Sequence, residues 1–486
     1  MSENRKIFKT KLKFCQKNAE QIKMDRLAQK RANRDFKNFW KSTNKLESKT
    51  SLATSVEGIS EPSDIANMFM EHFKIQSPLG PSTQVGSAGT VCGGEEPLVH
   101  ISAKQIRIII IGMSRGKSPG HDGLSIEHLK HAGFHLPRVL SMFYTMCVSH
   151  SYLPTNLMKT IVVPIVKNKT GDISDKGNYR PISLATIIAK VLDGVLDTIL
   201  SDHIQLHDTQ FGFRPGLSTE SAILSLKHTV RYYVDRGTPV YACFLDLSRA
   251  FDLVSYDVLW RKVEDRGVPS EICGLLKYWY SKQINHVKWD DTLSEPYRLE
   301  CGVRQGGLTS PRLFNLYIDA LIGELSSKRV GCSVGGVSIN NISYADDMVL
   351  MGPSVRAVRE LLKVCVAYAE SHGLAYNVKK CEYIVFGIRG KPRTDEPDLF
   401  LNGSKIKKVT SFKYLGHFLA DDLKDNVDIE RERRALAVRS NMLARRFARC
   451  TDLVKITLFK AYCQSLYTSS LWINYTKRSL DALCSI

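Results

Sequence analysis

Two short apolar runs that end on acids constrain this chain more than any other feature. The first, VYACFL (Val240–Leu245), has the β-branched and aromatic content of a buried strand and runs directly into Asp246. The second, NISYADDMVLMG (residues 341–352), carries Asp346 and Asp347 between apolar, strand-forming segments, which predicts a strand, a tight turn and a second strand. Asp-Asp pairs also occur at 290–291 and 421–422, so a pair alone reads as a turn; the apolar flanks set the middle one apart. Burying those flanks while displaying two acids costs free energy unless a cation sits there. If the two runs are neighbours, Asp246 meets Asp346 and Asp347 across the sheet. Three converging carboxylates repel one another and call for divalent cations. Hard oxygen ligands favour Mg²⁺, with phosphate oxygens completing its octahedron. Two such ions ~3.5–4 Å apart suit in-line phosphoryl or nucleotidyl transfer.

Charge points the same way. The chain has 68 Lys/Arg against 49 Asp/Glu, a net charge of +19. Residues 1–50 hold fifteen of the cations and five of the acids, so this tenth of the chain supplies +10 of the excess. A second run holds Arg431, Arg433, Arg434, Arg439, Arg445, Arg446 and Arg449. One such run is ordinarily a solvated helix face. Two together favour a polyanion, with nucleic acid first because Lys and Arg neutralise phosphates. An anionic membrane surface comes second and lacks a convincing amphipathic, aromatic-anchored stretch.

Residues 1–50 read as a basic helical region, with Phe36, Phe39 and Trp40 as an apolar stripe. Residues 76–97 have the Pro, Gly, Ser and Thr content of a linker. A compact region then mixes strand-like runs (160–166, 240–245, 342–351) with helical ones (221–234, 356–370), without repeats or regular βα alternation. The expected class is α+β with a mostly antiparallel sheet. The last 60 residues read as helical and basic, and the chain stops inside that pattern, as a truncated piece would. Twelve cysteines are scattered singly with no C-x-x-C pair, so a zinc ribbon is not expected and reduced thiols are. No secretory pattern opens the chain. No run reaches the ~18 apolar residues of a membrane span, and a soluble, intracellular protein is expected.

At this point the motifs are recognisable. GKSPGHDGLS (116–125), NYRPISL (178–184), QFGFRPGLST (210–219), FLDLSRAFD (244–252), GVRQGGLTSPRLFNLYIDAL (302–321), SYADDMVLMG (343–352), GLAYNVKKCEYIVFG (373–387) and FKYLGHFL (412–419) occur in the order of the reverse transcriptases of non-LTR (LINE-type) retrotransposons. The chain resembles that family from about Gly116 to its C-terminus. YTSSLW (467–472) is similar to the Jockey/CR1/L2 side of it. The 302–321 segment departs from the commoner pattern, in which another residue, often Pro, follows Gln-Gly.

The resemblance implies a right-hand polymerase with fingers, a palm built on an antiparallel sheet, and a partial helical thumb. The implied boundaries are a basic N-terminal helical and linker region at 1–99, an N-terminal extension with fingers at 100–239, a palm at 240–420, and an incomplete thumb at 421–486. It implies an RNA-directed DNA polymerase that adds dNTPs to a DNA 3′-OH on an RNA template. Asp246 and Asp346 would bridge two Mg²⁺ ions (Mn²⁺ as the alternative), with Asp347 a third, outer acid and the Leu247 carbonyl a further ligand. Phe251 would stack under the deoxyribose and reject a 2′-OH, against the plain alternative of a core Phe. Arg180 and Lys167 would grip the triphosphate, and Arg214 would serve the template strand. Gln305 would touch the template nucleotide or nascent base pair, with Gly306 and Gly307 allowing close approach. Lys380 would protonate the pyrophosphate, although Lys379 beside it competes for that role. Asp252 reads as structural, for instance a helix cap. His203, His207, His286 and His417 have no ligand-like spacing and read as structural.

The implied partners are template RNA, primer or target DNA, and dNTPs, in a ribonucleoprotein of cytoplasm and nucleus. No membrane partner is expected, and the oligomeric state is open. The residues before the first motif are too few for an endonuclease and resemble the basic linker that follows one. The rival of a different class is a catalytically inactive or co-opted nucleic-acid-binding remnant, which the undamaged acid set opposes. A group II intron maturase is a closer rival, disfavoured by the wording of FLDLSRAFD and YLGHFL.

Overall fold

The computed structural model describes residues 2–45, 53–80, 99–388 and 398–485. The linker-like stretch at 76–97 lies mostly outside them. The chain forms two compact units, one of residues 52–409 and one joining residues 1–51 to 410–486. The expected 1–99 region is divided between the units, and the second segment of the smaller unit begins at Thr410, inside the expected 240–420 region.

The larger unit is organised by a five-stranded sheet in the order Lys407–Lys408, Glu382–Phe386, Val240–Leu245, Asp347–Gly352, Asn341–Tyr344. All its pairings are antiparallel except that of the short Lys407–Lys408 strand. Val240–Leu245 lies at the centre and is almost wholly buried, as its unbroken apolar sequence requires. One face packs on the helix Val355–Ser371, which Ser354 caps by accepting from the Ala357 N–H. The long buried helix Ser310–Ser327 belongs to the same core.

A second sheet orders Tyr179–Leu184, Lys159–Val166, Ile284–Trp289 and Thr292–Leu293. It is mixed, because Lys159–Val166 pairs antiparallel with Tyr179–Leu184 and parallel with Ile284–Trp289. The helix Pro62–Phe73 lies on it, and Phe69 packs against Tyr179 and Trp289 at ring distances of 4.9 and 5.3 Å. Part of the expected N-terminal linker is therefore built into this layer.

The sheets and helices are joined by the loop 304–308, whose anchor is ionic. Arg304 is buried with its guanidinium 4.0 Å from the Trp279 ring centroid and bonded to Asp193 at 3.0 Å. Asp193, on the helix Ile187–His203, also accepts from the Leu308 N–H (2.6 Å) and the Thr309 hydroxyl (2.8 Å). One carboxylate thus neutralises a buried cation and satisfies donors at the start of Ser310–Ser327.

In the smaller unit, the helices Ala19–Ala32 and Phe36–Lys45 bury Met24, Leu27 and Phe39 against Phe447, Val454 and Leu458. The expected stripe is realised mainly by Phe39, since Phe36 is exposed. The hairpin Ser411–Tyr414/His417–Ala420 leads into the helix Asn426–Arg446. His417 is fully buried, 3.0 Å from Asp428, which also binds Arg431 and the Trp472 indole N–H. The arginine run is largely paired within its own helix: Arg433 and Arg434 with Glu430, Arg439 with Glu432, and Arg431 with Asp428 and Glu432. These pairs share three acids among four arginines, so the helix surface stays cationic. Among the described residues the cysteines are free thiols, and no helix is long and apolar enough to cross a membrane.

Replacing Asp193 by Ala leaves the Arg304 charge buried without a partner. We expect a loss of about 3–5 kcal/mol in urea unfolding, the cost of breaking a buried pair from one side.

Candidate active site

Register decides where the acids lie. Leu245 pairs with Met348 and Phe244 with Val349, so the next residue, Asp246, falls beside Asp347. Tyr344 pairs with Asp347 across a two-residue turn of Ala345 and Asp346. The turn needs a left-handed residue, and Ala345 has φ +56°. The QFGF segment braces it. Buried Gln210 accepts from the Ala345 N–H at 3.0 Å, and Phe211 donates its N–H to the Ser343 carbonyl at 2.8 Å. Gly212 is required by contact, because a Cβ there would lie 2.4 Å from the Ala345 nitrogen. The other two Asp-Asp pairs sit in ordinary surface turns.

Asp246 is held from behind. Its carbonyl accepts from the Asn377 N–H, and Ser248 donates to the Ala375 carbonyl, both at 2.8 Å. These bonds flank the Leu247–Tyr376 bridge, so the Leu247 carbonyl faces away from that segment, and Leu247 lines the cavity. Lys380 places its ammonium 3.6 Å from the Asp246 carboxylate and stays two-thirds exposed.

The acids feel one another. Burial first, then the Asp246 carboxylate, raises the Asp346 pKa. Asp347 is pushed up to about 6 by burial of its carboxyl and by the Asp346 and Asp246 charges. Among the described residues, no three acid, histidine or cysteine groups close into a ready-made metal cage. Mg²⁺ usually takes one or two carboxylates plus phosphate and water oxygens. Asp246, Asp346 and the Leu247 carbonyl have the oxygen character to hold such an ion, with Asp347 at the edge.

Asp346 and Leu247 line a cavity of ≈590 Å³ whose wall is cationic. Lys167, Arg180 and Arg249 line it, as do Phe251, Gln305 and Gly306. Burial and the charges of Arg180, Lys380 and Arg249 lower the Lys167 pKa. Phe251 stacks on Phe314 at 4.5 Å and 15°, a rigid wall with its other side toward the cavity. Gly306 has φ +110°, and a Cβ there would press on the Ser183 carbonyl at 3.1 Å.

Of the residues singled out in the sequence, Asp346, Leu247, Phe251, Arg180, Lys167 and Gln305 line this one cavity. Asp246 and Asp347 adjoin Asp346, and Lys380 adjoins Asp246. Arg214 is placed differently: its guanidinium donates to the carbonyls of His207 and Gln210, and its neighbour Phe213 lines the cavity. Asp252 caps no helix; its carboxylate accepts from the Gln305 amide at 2.8 Å. Arg249 and His72 were missed. Arg249 sits in FLDLSRAFD with φ +50°, and a basic residue three after the first acid was a signal. His72 had none, because it comes from the distant helix Pro62–Phe73.

Paired acids at a strand end, facing a cationic cavity, define a site for metal-assisted phosphoryl transfer. Residues 166–419, just over half of the chain, match the family described as reverse transcriptase (RNA-dependent DNA polymerase). The chain belongs to that family, whose members have the right-hand polymerase fold and generally depend on divalent metal ions. Among its relatives are the Pol polyprotein of the type-2 retrotransposable element R2DM of Drosophila melanogaster (28% identity; 63% of this chain, 29% of the relative) and that of the R2 element of Popillia japonica (26%; 65% and 45%). The RNA-directed DNA polymerase from the mobile element jockey of Drosophila melanogaster is 23% identical over 66% of this chain and 35% of its own length. The chain thus spans under half the length of these relatives, and its likeness runs across R2 and jockey elements alike.

The raised Asp347 pKa has a consequence for the metal-free protein. Because the fold prefers the protonated carboxyl, this group's contribution is fully present below about pH 4 and lost as pH rises through about 6. Without divalent ions at pH 7, Asp347→Asn should be more stable than wild type. Partial screening by solvent keeps the gain on the order of 1 kcal/mol. In urea melts the difference should vanish below pH 4.

Proposed function

We propose that this protein is an RNA-directed DNA polymerase that extends a DNA 3′-OH with dNTPs on an RNA template. The observation that carries the reading is the convergence of Asp246 with the Asp346-Asp347 hairpin beneath a cation-lined cavity, in a chain of the reverse transcriptase family. The divalent ions, two Mg²⁺ by preference, would lower the pKa of the attacking hydroxyl and neutralise charge on the phosphates when bound. Asp246, Asp346 and the Leu247 carbonyl would hold them. Arg180 offers the phosphates a planar fork, while Lys167 and Arg249 add point charge. Lys380, beside Asp246, stands where a proton can be given to the departing pyrophosphate. Phe251, fixed by its stack on Phe314, meets the sugar face and leaves no room for a 2′-OH. Template RNA and primer or target DNA would be bound chiefly through their backbones.

Primer extension on an RNA template with dNTPs and Mg²⁺ tests this, comparing wild type with Asp346→Asn. Wild type should extend. The variant, nearly isosteric but short of one metal-binding charge, should lose roughly a thousandfold, equivalent to about 4 kcal/mol. A folded wild type that binds RNA without extending it would favour a binding-only protein. Equal extension by both would refute the assignment of the acids.

Opening the sugar wall should relax selectivity. Phe251→Val is expected to cut discrimination against ribonucleotides by roughly 10–100-fold, measured as the ratio of kcat/KM for matched dNTP and rNTP.

A further inference from the structure

The sugar wall has a second layer. Phe251 and Asp252 lie in the turn Ala250–Asp252, which is laced to the segment that carries Gln305. The Phe251 carbonyl accepts from the Val303 N–H at 2.7 Å, and the Val254 carbonyl accepts from Gly302 at 2.8 Å. This closeness depends on Gly302, where φ is +91° and a Cβ would lie 2.8 Å from the Asp252 carbonyl oxygen. Gln305 extends from the same segment. Its carbonyl accepts from the Ser183 N–H at 2.8 Å, and its Nε2 donates to Asp252 Oδ1 at 2.8 Å. Asp252 and Gln305 both line the cavity that Phe251 and Asp346 share.

A carboxylate accepts and does not donate, whereas an amide presents one end of each kind. Burial pushes the Asp252 pKa up, while the Gln305 amide and then the Arg249 and Lys167 charges lower it. With its Nε2 given to Asp252 Oδ1, Gln305 leaves its Oε1 end as the acceptor. A helix cap would need no such partner, and the helix Tyr256–Asp265 starts at Ser255 with no side-chain cap.

We propose that Asp252 is a positioning residue for nucleotide selection: it locks the Gln305 amide in one orientation, so that an acceptor and not a donor meets the incoming nucleotide. The inference rests on the polymerase reading and concerns binding of the nucleotide, not the chemical step. Asp252 touches neither the reacting atoms nor the metal ligands; it acts through Gln305.

The test is single-nucleotide insertion kinetics on a primed RNA template. Asp252→Asn keeps the shape but lets the Gln305 amide settle either way round. It should raise KM for the matched dNTP about tenfold, the worth of one well-placed hydrogen bond, with kcat changed far less. Gln305→Leu should show the same rise, and adding Asp252→Asn to it should change nothing further. The exchange Asp252→Asn with Gln305→Glu restores a donor facing an acceptor, keeps the pair's charge, and again offers an oxygen to the cavity. It should bring KM back toward wild type, which a residue serving only stability would not do. Additive effects in the cycle, a fall in kcat alone, or an exchange worse than either single change would overturn the proposal. A wild type that extends primers normally while these variants behave so would leave the polymerase reading standing. A wild type that never extends overturns both.

Discussion

The site depends first on the register between Val240–Leu245 and Asp347–Gly352. Antiparallel pairing of Leu245 with Met348 sets acids a hundred residues apart side by side. Side chains alternate across a strand, so a slip of one residue would turn the buried set outward and carry the acids to the wrong face. The surroundings hold that register from both ends. Val240–Leu245 is buried between strands on either side, and Gln210 and Gly212 press on the turn that carries Asp346. Burial first, and then the neighbouring carboxylate charges, raise the pKa values of Asp346 and Asp347. Apolar packing around the strands offsets that repulsion, and the cationic wall opposite lessens it.

The second frame is the Arg304–Asp193 pair. It fixes the first and last residues of a loop whose middle, Gln305 to Gly307, approaches the cavity. The residues facing substrate are thereby carried on backbone that has little freedom. Phe251 is tied in through Phe314, on the helix whose start Asp193 satisfies. One buried carboxylate positions both the flexible-looking Gly-Gly segment and the aromatic wall.

Much of this was legible in the sequence, and the rest was not for identifiable reasons. The strands 240–245 and 341–352 announced themselves because burial demands apolar runs and the acids interrupt them abruptly. The helical runs at 221–234 and 356–370 fall within the helices Thr219–Val234 and Val355–Ser371, whose caps Ser218 and Ser354 only the structure shows. Arg214 was expected to serve the template strand; that its guanidinium donates to the carbonyls of His207 and Gln210 in its own loop is not encoded in spacing. A count of cations after residue 430 does not show that Glu430 lies one helical turn from Arg433 and Arg434, or Glu432 two turns from Arg439. His72 and the Asp252–Gln305 bond are long-range facts, and neither periodicity nor spacing encodes them.

The smaller unit is discontinuous along the chain, and that bears on how the protein is made. Phe447, Val454 and Leu458, on which Met24, Leu27 and Phe39 pack, leave the ribosome some four hundred residues after them. At ~5–20 residues per second, the first helices wait roughly 20–80 s for their partners. Throughout that interval their apolar faces are open to solvent, chaperones or a bound ligand. Their fifteen neighbouring cations then act as more than a docking charge. Mutual repulsion keeps the waiting segment soluble and apart from copies of itself until synthesis delivers the surface that closes the unit.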